Sequence, residues 1–121
     1  ELAGKRGICQ DILVEVNIGK EAGKTGIEPE KLERFMEEIS SFSSIRIRGL
    51  MAIPPAGLER DENRRFFSAM RELFVDIKGK KYDNSLVQFL SMGMSADYMD
   101  AIREGANMVR IGTGIFGPRS Y

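Results

Sequence analysis

The two most informative stretches of this chain are Phe89-Leu-Ser-Met-Gly-Met-Ser-Ala-Asp97 and Met108-Val-Arg-Ile-Gly-Thr-Gly-Ile-Phe-Gly117. Each begins with a short apolar run that predicts a strand and continues into small residues that predict a turn. A short helix is predicted between them, from Asp97 to about Glu104, and Gly105 ends it. Glycine turns and helix N-termini present backbone N–H groups to anions, and the last loops of a (β/α)8 barrel commonly hold a phosphate. The pattern therefore indicates an anion-binding site.

The rest of the chain alternates strands and helices in the same way. Strands are predicted at Asp11–Asn17, Ile45–Ala52, Leu86–Leu90 and Met108–Ile111. Apolar residues recur at helical spacing after Pro29 and again from about Asp61 to Gly79. The order β-α-β-α-β-α-β predicts a parallel sheet of four strands with three helices on one side. Half of a (β/α)8 TIM barrel has this order, and a doubly wound four-stranded sheet is the rival architecture.

Composition restricts the classes of partner and compartment. The chain has 121 residues, enough for one domain with a real core, and its 18 basic residues balance 18 acidic ones. A neutral chain gives no indication of a nucleic-acid partner, and its apolar runs are too short to span a membrane. Cys9 is the single cysteine, which excludes an internal disulfide and fits a reducing compartment, so a cytoplasmic protein is expected.

The sequence contains no histidine. This excludes Ser-His-Asp triads and Cys-His pairs, and it removes nearly all zinc sites. We therefore predict neither a catalytic residue nor a metal ligand.

The segment Gly112-Thr-Gly-Ile-Phe-Gly117 fits the dinucleotide-binding pattern G-x-G-x-x-G after a predicted strand. That pattern needs a following helix, a second strand and an acidic residue about 20 residues on, whereas only four residues follow Gly117. The dinucleotide interpretation is therefore rejected. Two readings remain, namely glycines that let backbone N–H groups approach a phosphate, and a tight turn with close packing.

Individual polar residues at strand ends are candidates for the same site. Ser95 is either a helix cap or an anion ligand. Arg110 interrupts an apolar strand, so it forms a salt bridge across the sheet or acts as a fixed cation beside a polar ligand. The second reading is favoured because barrel sites lie at the C-terminal ends of strands. Asn17 and Met51 occupy equivalent ends and are candidates to line the pocket.

Four motifs resemble the pyridoxal-phosphate homeostasis family, also called the YggS or proline synthase co-transcribed family. They are Val16-Asn-Ile-Gly-Lys20, Arg48-Gly-Leu-Met-Ala-Ile-Pro54, Leu90–Asp97 and Val109–Gly117. The resemblance covers essentially the whole chain. It implies a single barrel like the N-terminal domain of alanine racemase. The members of the resembled family bind pyridoxal 5′-phosphate (PLP) through a lysine Schiff base and have no established catalytic turnover.

The resemblance also implies roles for particular residues. Ser95 and the turn Gly112-Thr113 would hold the phosphate, Arg110 would lie beside the pyridine nitrogen, and Met92 would help line the pocket. An arginine in that position keeps the nitrogen unprotonated and weakens the electron sink that PLP enzymes use.

The family's lysine motif, of the type Ala-Val-Ser-Lys, does not occur in this chain. The match begins about halfway along the family sequence, and residue 1 is Glu1 rather than methionine. We therefore expect residues 1–121 to be the C-terminal half of a PLP-binding barrel, with PLP, phosphate or sulfate held non-covalently at most. An exposed half-barrel is expected to self-associate as a dimer or to pair with the missing N-terminal half.

Two other interpretations remain open from the sequence. One is a fragment of a PLP-dependent racemase-type enzyme, which would need a second domain with a tyrosine acid/base. The other is a non-catalytic module that binds a different phosphorylated ligand.

Overall fold

The computed structural model describes residues 7–112. Its strands form one sheet in chain order, with both neighbouring pairs parallel: β1 is Gln10–Val16, β2 is Ile45–Ala52 and β3 is Ser85–Ser91. The helices are α1, Leu32–Ile39, α2, Arg60–Lys80, and α3, Tyr98–Arg103, and a 3-10 turn at Pro29–Lys31 precedes α1. The predicted parallel order and the three helices are confirmed.

The sheet and helices share one core because their apolar residues follow the two periods expected of strands and helices. Val14, Leu50 and Leu90 lie side by side in register across the three strands, and all are buried. Met36 of α1, Met70 of α2 and Ala101 of α3 belong to the same buried cluster. In the described part of the chain, no helix is long and apolar enough to cross a membrane.

The prediction of a fourth strand at Met108–Ile111 is wrong. Among residues 7–112 this segment makes a single isolated parallel bridge, between Met108 and Ser91. Its backbone hydrogen bonds to the β3 side are Asn107 N–H to Leu90 O at 3.1 Å, Met92 N–H to Met108 O at 3.1 Å and Arg110 N–H to Gly93 O at 2.9 Å. The sheet therefore has three strands and a bridged segment beside the third.

The side chain of Asn107 explains why the ladder is interrupted. Its Oδ1 accepts the Leu90 N–H at 2.8 Å, and its Nδ2 donates to Gln88 O at 2.6 Å. A side-chain amide thus takes the place that the backbone of a fourth strand would occupy along β3. Asn107 lies just before the apolar run, where a hydrophobicity pattern gives no sign of it.

Candidate functional site

The candidate site lies at the C-terminal edge of the sheet, where the loops that follow the parallel strands meet. The chain turns sharply after β3 at Gly93, whose φ is +101°. A Cβ at this position would lie 2.7 Å from the Cβ of Ala101 in α3. Glycine is therefore required both by the backbone conformation and by the close packing of the turn against α3.

A tight turn from Met94 to Asp97 contains Ser95. The Met94 carbonyl accepts the N–H groups of Asp97 at 3.2 Å and Tyr98 at 2.9 Å, and the Met94 N–H donates to Asp97 Oδ1 at 2.8 Å. The Ala96 N–H makes no hydrogen bond within residues 7–112. Ser95 is half-buried in the middle of this turn.

The expectation that Ser95 caps the helix is wrong. The cap position belongs to Asp97, because α3 begins at Tyr98. The acidic side chain reaches back to Met94, so the turn is closed before the regular helix starts.

Arg110 joins this turn to the end of β2. Its N–H donates to Gly93 O at 2.9 Å, and its guanidinium donates from Nη2 to Ala52 O at 2.9 Å. The buried Nε has no hydrogen-bond partner within the described chain. The salt bridge considered from the sequence is not formed with any acidic residue in that part of the chain, because the guanidinium binds a carbonyl instead. Arg110 is thus a fixed cation whose buried Nε–H is unused within residues 7–112.

Gly112 follows two residues after Arg110 and is exposed, with no atom within 4 Å of the place a Cβ would take. The close packing considered as one reading of this glycine is therefore absent among residues 7–112. Thr113, the second residue of the predicted phosphate turn, lies outside the described residues.

Asn17 and Met92 do not lie in the turn that contains Ser95. Asn17 organises its own loop, since Nδ2 donates to Glu21 O at 2.9 Å and Oδ1 accepts the Glu21 N–H at 3.2 Å. Met92 is fully buried in the apolar core, and Met51 is half-buried. The residues that come together directly are therefore Arg110 and the turn after Gly93.

Polar side chains of α2 reach the same turn, and sequence reasoning did not find them. Asn63 Nδ2 donates to Asp97 Oδ2 at 2.8 Å. Arg60 donates through Nε and Nη2 to the two carboxylate oxygens of the buried Asp100, each at 2.8 Å. These residues border a cavity of about 770 Å³ that also contacts Ser95 and the loop after β2. Arg60 and Asn63 are three residues apart on α2, and Asp97 and Asp100 are three residues apart at the start of α3. The sequence does not show that these two helix faces are in contact.

The described lysines lie in loops and on helices, and acidic partners hold several of them. Lys24 pairs with Glu21 at 3.0 Å, and Lys20 pairs with Glu30. Lys80 pairs with Glu33 at 2.9 Å and Asp76 at 3.1 Å. The hydrogen bond that Lys20 donates to Glu30 raises the pKa of Lys20, and the one that Lys80 donates to Glu33 is the main cause that raises the pKa of Lys80. Amines with raised pKa values stay protonated at neutral pH and are poor nucleophiles. Lys5 lies outside the described residues.

Parallel strands that alternate with helices define a parallel α/β domain. The chain belongs to the alanine racemase N-terminal domain family, whose model matches residues 1–120. The chain is 44% identical over 119 residues to the pyridoxal phosphate homeostasis protein of Aquifex aeolicus and 42% identical over 111 residues to that of Pseudomonas aeruginosa. These matches cover 98% and 92% of this chain but 51% and 46% of the relatives. The chain thus spans about half the length of the curated relatives it matches.

Solved structures give the same picture of the fold. PipY of Synechococcus elongatus without PLP superposes with a TM-score of 0.86 at 32% identity, covering 96% of this chain and 54% of PipY. PipY with PLP bound gives a TM-score of 0.81 at 31% identity, covering 96% and 53%. Alanine racemase from Corynebacterium glutamicum, at 14% identity and a TM-score of 0.67, covering 90% and 30%, shares the fold alone.

Proposed function

We propose that this chain supplies the phosphate-binding half of a pyridoxal 5′-phosphate site in a protein of PLP homeostasis. The observation that carries the proposal is the hydrogen bond between Arg110 N–H and Gly93 O, which joins two candidate ligand segments at one edge of the sheet. The relation to PipY, which has been solved with PLP bound, gives the ligand its identity. The relation to chains twice as long is the reason to assign this chain half of the site.

The phosphate is assigned to Ser95 and to the turn at Gly112 and Thr113. Ser95 supplies a hydroxyl, and the neighbouring Ala96 N–H is an unused donor within residues 7–112. Gly112 is exposed, so its backbone is accessible to a ligand. Backbone N–H groups at such turns bind phosphate without a basic side chain, which agrees with the absence of lysine from both turns.

Arg110 is assigned to the pyridine nitrogen. A guanidinium has donors and no acceptor, so the unused Nε–H of Arg110 can donate to a ring nitrogen that carries no proton. PLP supplies an aldehyde and an electron-withdrawing ring, and an unprotonated ring nitrogen makes the ring a weaker electron sink. Met92 and Asn17 support the site from the core and from the loop after β1.

Attachment of PLP to this chain is proposed to be non-covalent. A covalent link needs an unprotonated amine near the aldehyde, whereas Lys20 and Lys80 are held protonated by carboxylates. We assign the amine of the complete site to a segment outside residues 7–112.

The test compares PLP dissociation constants of the full-length protein and three variants by equilibrium dialysis. Ser95→Ala and Arg110→Gln are expected to weaken binding about tenfold each, because each removes a hydrogen bond to a charged or polar ligand atom. Lys24→Gln is the control, since Lys24 lies in the loop after β1 and, within residues 7–112, its ammonium pairs with Glu21 alone. Equal affinities for all four proteins would overturn the assignment. A racemase assay on the same preparations separates a carrier from an enzyme.

A further inference from the structure

We infer that Asn63 and Asp97 form a tether that positions the Met94–Asp97 turn for a phosphate group. Asp97 would then be a positioning residue that does not touch the ligand. This inference rests on the proposed function, because the turn is proposed there as part of the phosphate site.

Both carboxylate oxygens of Asp97 are occupied by N–H donors from different parts of the chain. Oδ1 accepts the Met94 N–H at 2.8 Å, which closes the turn on itself. Oδ2 accepts Asn63 Nδ2 at 2.8 Å, which fixes the turn to α2. With both oxygens bound, the carboxylate cannot rotate without losing a hydrogen bond, so the turn has one defined orientation relative to α2.

The partner helix is itself held firmly at this point. Arg60, one turn before Asn63, binds both oxygens of Asp100 in α3. Such a paired, planar contact fixes direction as well as distance. The position of α2 beside α3 is therefore fixed at this point. The hydrogen bond from Asn63 to Asp97 fixes the turn relative to α2.

The charge of Asp97 also favours positioning over direct binding. A carboxylate repels a phosphate dianion, so an acidic residue two positions after Ser95 is a poor ligand for it. Its use as an acceptor for Met94 and Asn63 explains its presence without any contact to phosphate. The Ala96 N–H, which has no partner within residues 7–112, then remains available to an anion.

The test uses two ligands that differ only in phosphate and cannot react with lysine, 4′-deoxypyridoxine 5′-phosphate and 4′-deoxypyridoxine. Their dissociation constants are measured by calorimetry on the full-length protein. Asp97→Ala and Asn63→Leu are expected to weaken binding of the phosphorylated ligand about tenfold and to leave the other unchanged. In the double variant N63D/D97N the amide and carboxylate exchange places, both hydrogen bonds can re-form, and most of the affinity is expected to return.

Asn84→Ala is the matched control, because Asn84 Nδ2 tethers Ile39 O and Phe42 O at the opposite edge of the sheet. It removes a similar pair of hydrogen bonds and is expected to leave the affinity for both ligands unchanged. If Asp97→Ala weakens both ligands equally, or if the exchanged pair restores nothing, the positioning role is overturned and the phosphate site stands. If the wild-type protein does not prefer the phosphorylated ligand, the proposed function fails and the tether fails with it.

Discussion

Gly49 lies at a point where β2 closely approaches β3. A Cβ at this position would lie 1.8 Å from the carbonyl oxygen of Phe89 in β3. The register between β2 and β3 shifts between Ile47 and Gly49, so the pairing is irregular where the glycine lies. The absence of a side chain at Gly49 is therefore a condition for the pairing of β2 with β3.

Substitution of Gly49 by alanine is expected to lower the free energy of unfolding by at least about 3 kcal/mol, because the new methyl group collides with backbone rather than with a movable side chain. Gly79→Ala is the control, since Gly79 is helical and has open space around its Cβ position. That control is expected to stabilise by about 0.5–1 kcal/mol. Urea unfolding of both variants checks this, and equal midpoints would contradict it.

The ion pair of Asp100 makes the free energy of unfolding depend on pH in the acid range. Its hydrogen bond from Arg60 lowers the pKa of this carboxyl below its ordinary value. A pKa that is lower in the folded state than in the unfolded state stabilises the fold at pH values above the unfolded one, about 3.9, and this contribution is lost as the pH falls through the folded value.

We therefore expect the free energy of unfolding to fall as the pH drops below about 4, and to fall less steeply in Asp100→Asn. Asp83→Asn serves as the control, because Asp83 is exposed and makes no ion pair within residues 7–112. Thermal melts between neutral pH and strong acid give the slopes. A slope of Asp100→Asn that matches the wild type would refute the role of this ion pair.

At the scale of elements, both edges of the sheet are partly closed by segments that are not strands. Ile27 bridges Val16 at the β1 edge, and its N–H donates to Glu15 O at 2.8 Å. Asn107 occupies part of the β3 edge through its side chain. Unpaired strand edges invite association with other chains, and short irregular segments reduce that tendency.

Asn107→Ala is expected to lower the free energy of unfolding by about 1–2 kcal/mol, because the Leu90 N–H loses its side-chain acceptor and Gln88 O its donor. Hydrogen exchange of the Leu90 amide should become faster, while that of Leu50 in β2 is unchanged. Unaltered protection of Leu90 in the variant would mean that the bridged segment, not the side chain, closes this edge.

The elements were predictable where the signal is local. The strands around Val14, Leu50 and Leu90, and the helix containing Met70, follow from periodicity alone. The interruption of the fourth strand was not predictable from the sequence, because it depends on the amide side chain of Asn107. Ser95 and Arg110 were singled out from the sequence, and the structure places Ser95 in the turn after β3 and joins Arg110 to Gly93 by a hydrogen bond. Asn63 was missed because it meets Asp97 across 34 residues of sequence.

At the scale of the whole molecule, one face of the sheet is open. Leu13 and Phe89 are in register with Gly49 on the face opposite Val14 and Leu50, and both are only partly buried. Arg48 covers part of it, with its guanidinium 5.2 Å from the Phe89 ring centre and 3.1 Å from Asp11. Apolar surface of this kind on a water-facing domain commonly marks an interface.

We therefore expect residues 1–121, prepared alone, to self-associate as a two-fold dimer through this face. Leu13→Lys should shift the equilibrium towards monomer, because Leu13 lies on the open face and the substitution places a charge there. Val75→Lys is the control, since Val75 is exposed on α2, away from the sheet face. Multi-angle light scattering at micromolar concentration measures the molar mass of each protein. A stable wild-type monomer would rule the dimer out.

The central claim is that the turn after β3 and the segment after Arg110 together hold the phosphate of PLP. The most direct measurement is a crystal structure of the protein soaked with PLP or with inorganic phosphate. Phosphate density is expected within hydrogen-bond reach of Ser95, the Ala96 N–H and the Gly112 backbone. Density found only beside Lys20, Lys24 or Lys80 would contradict it.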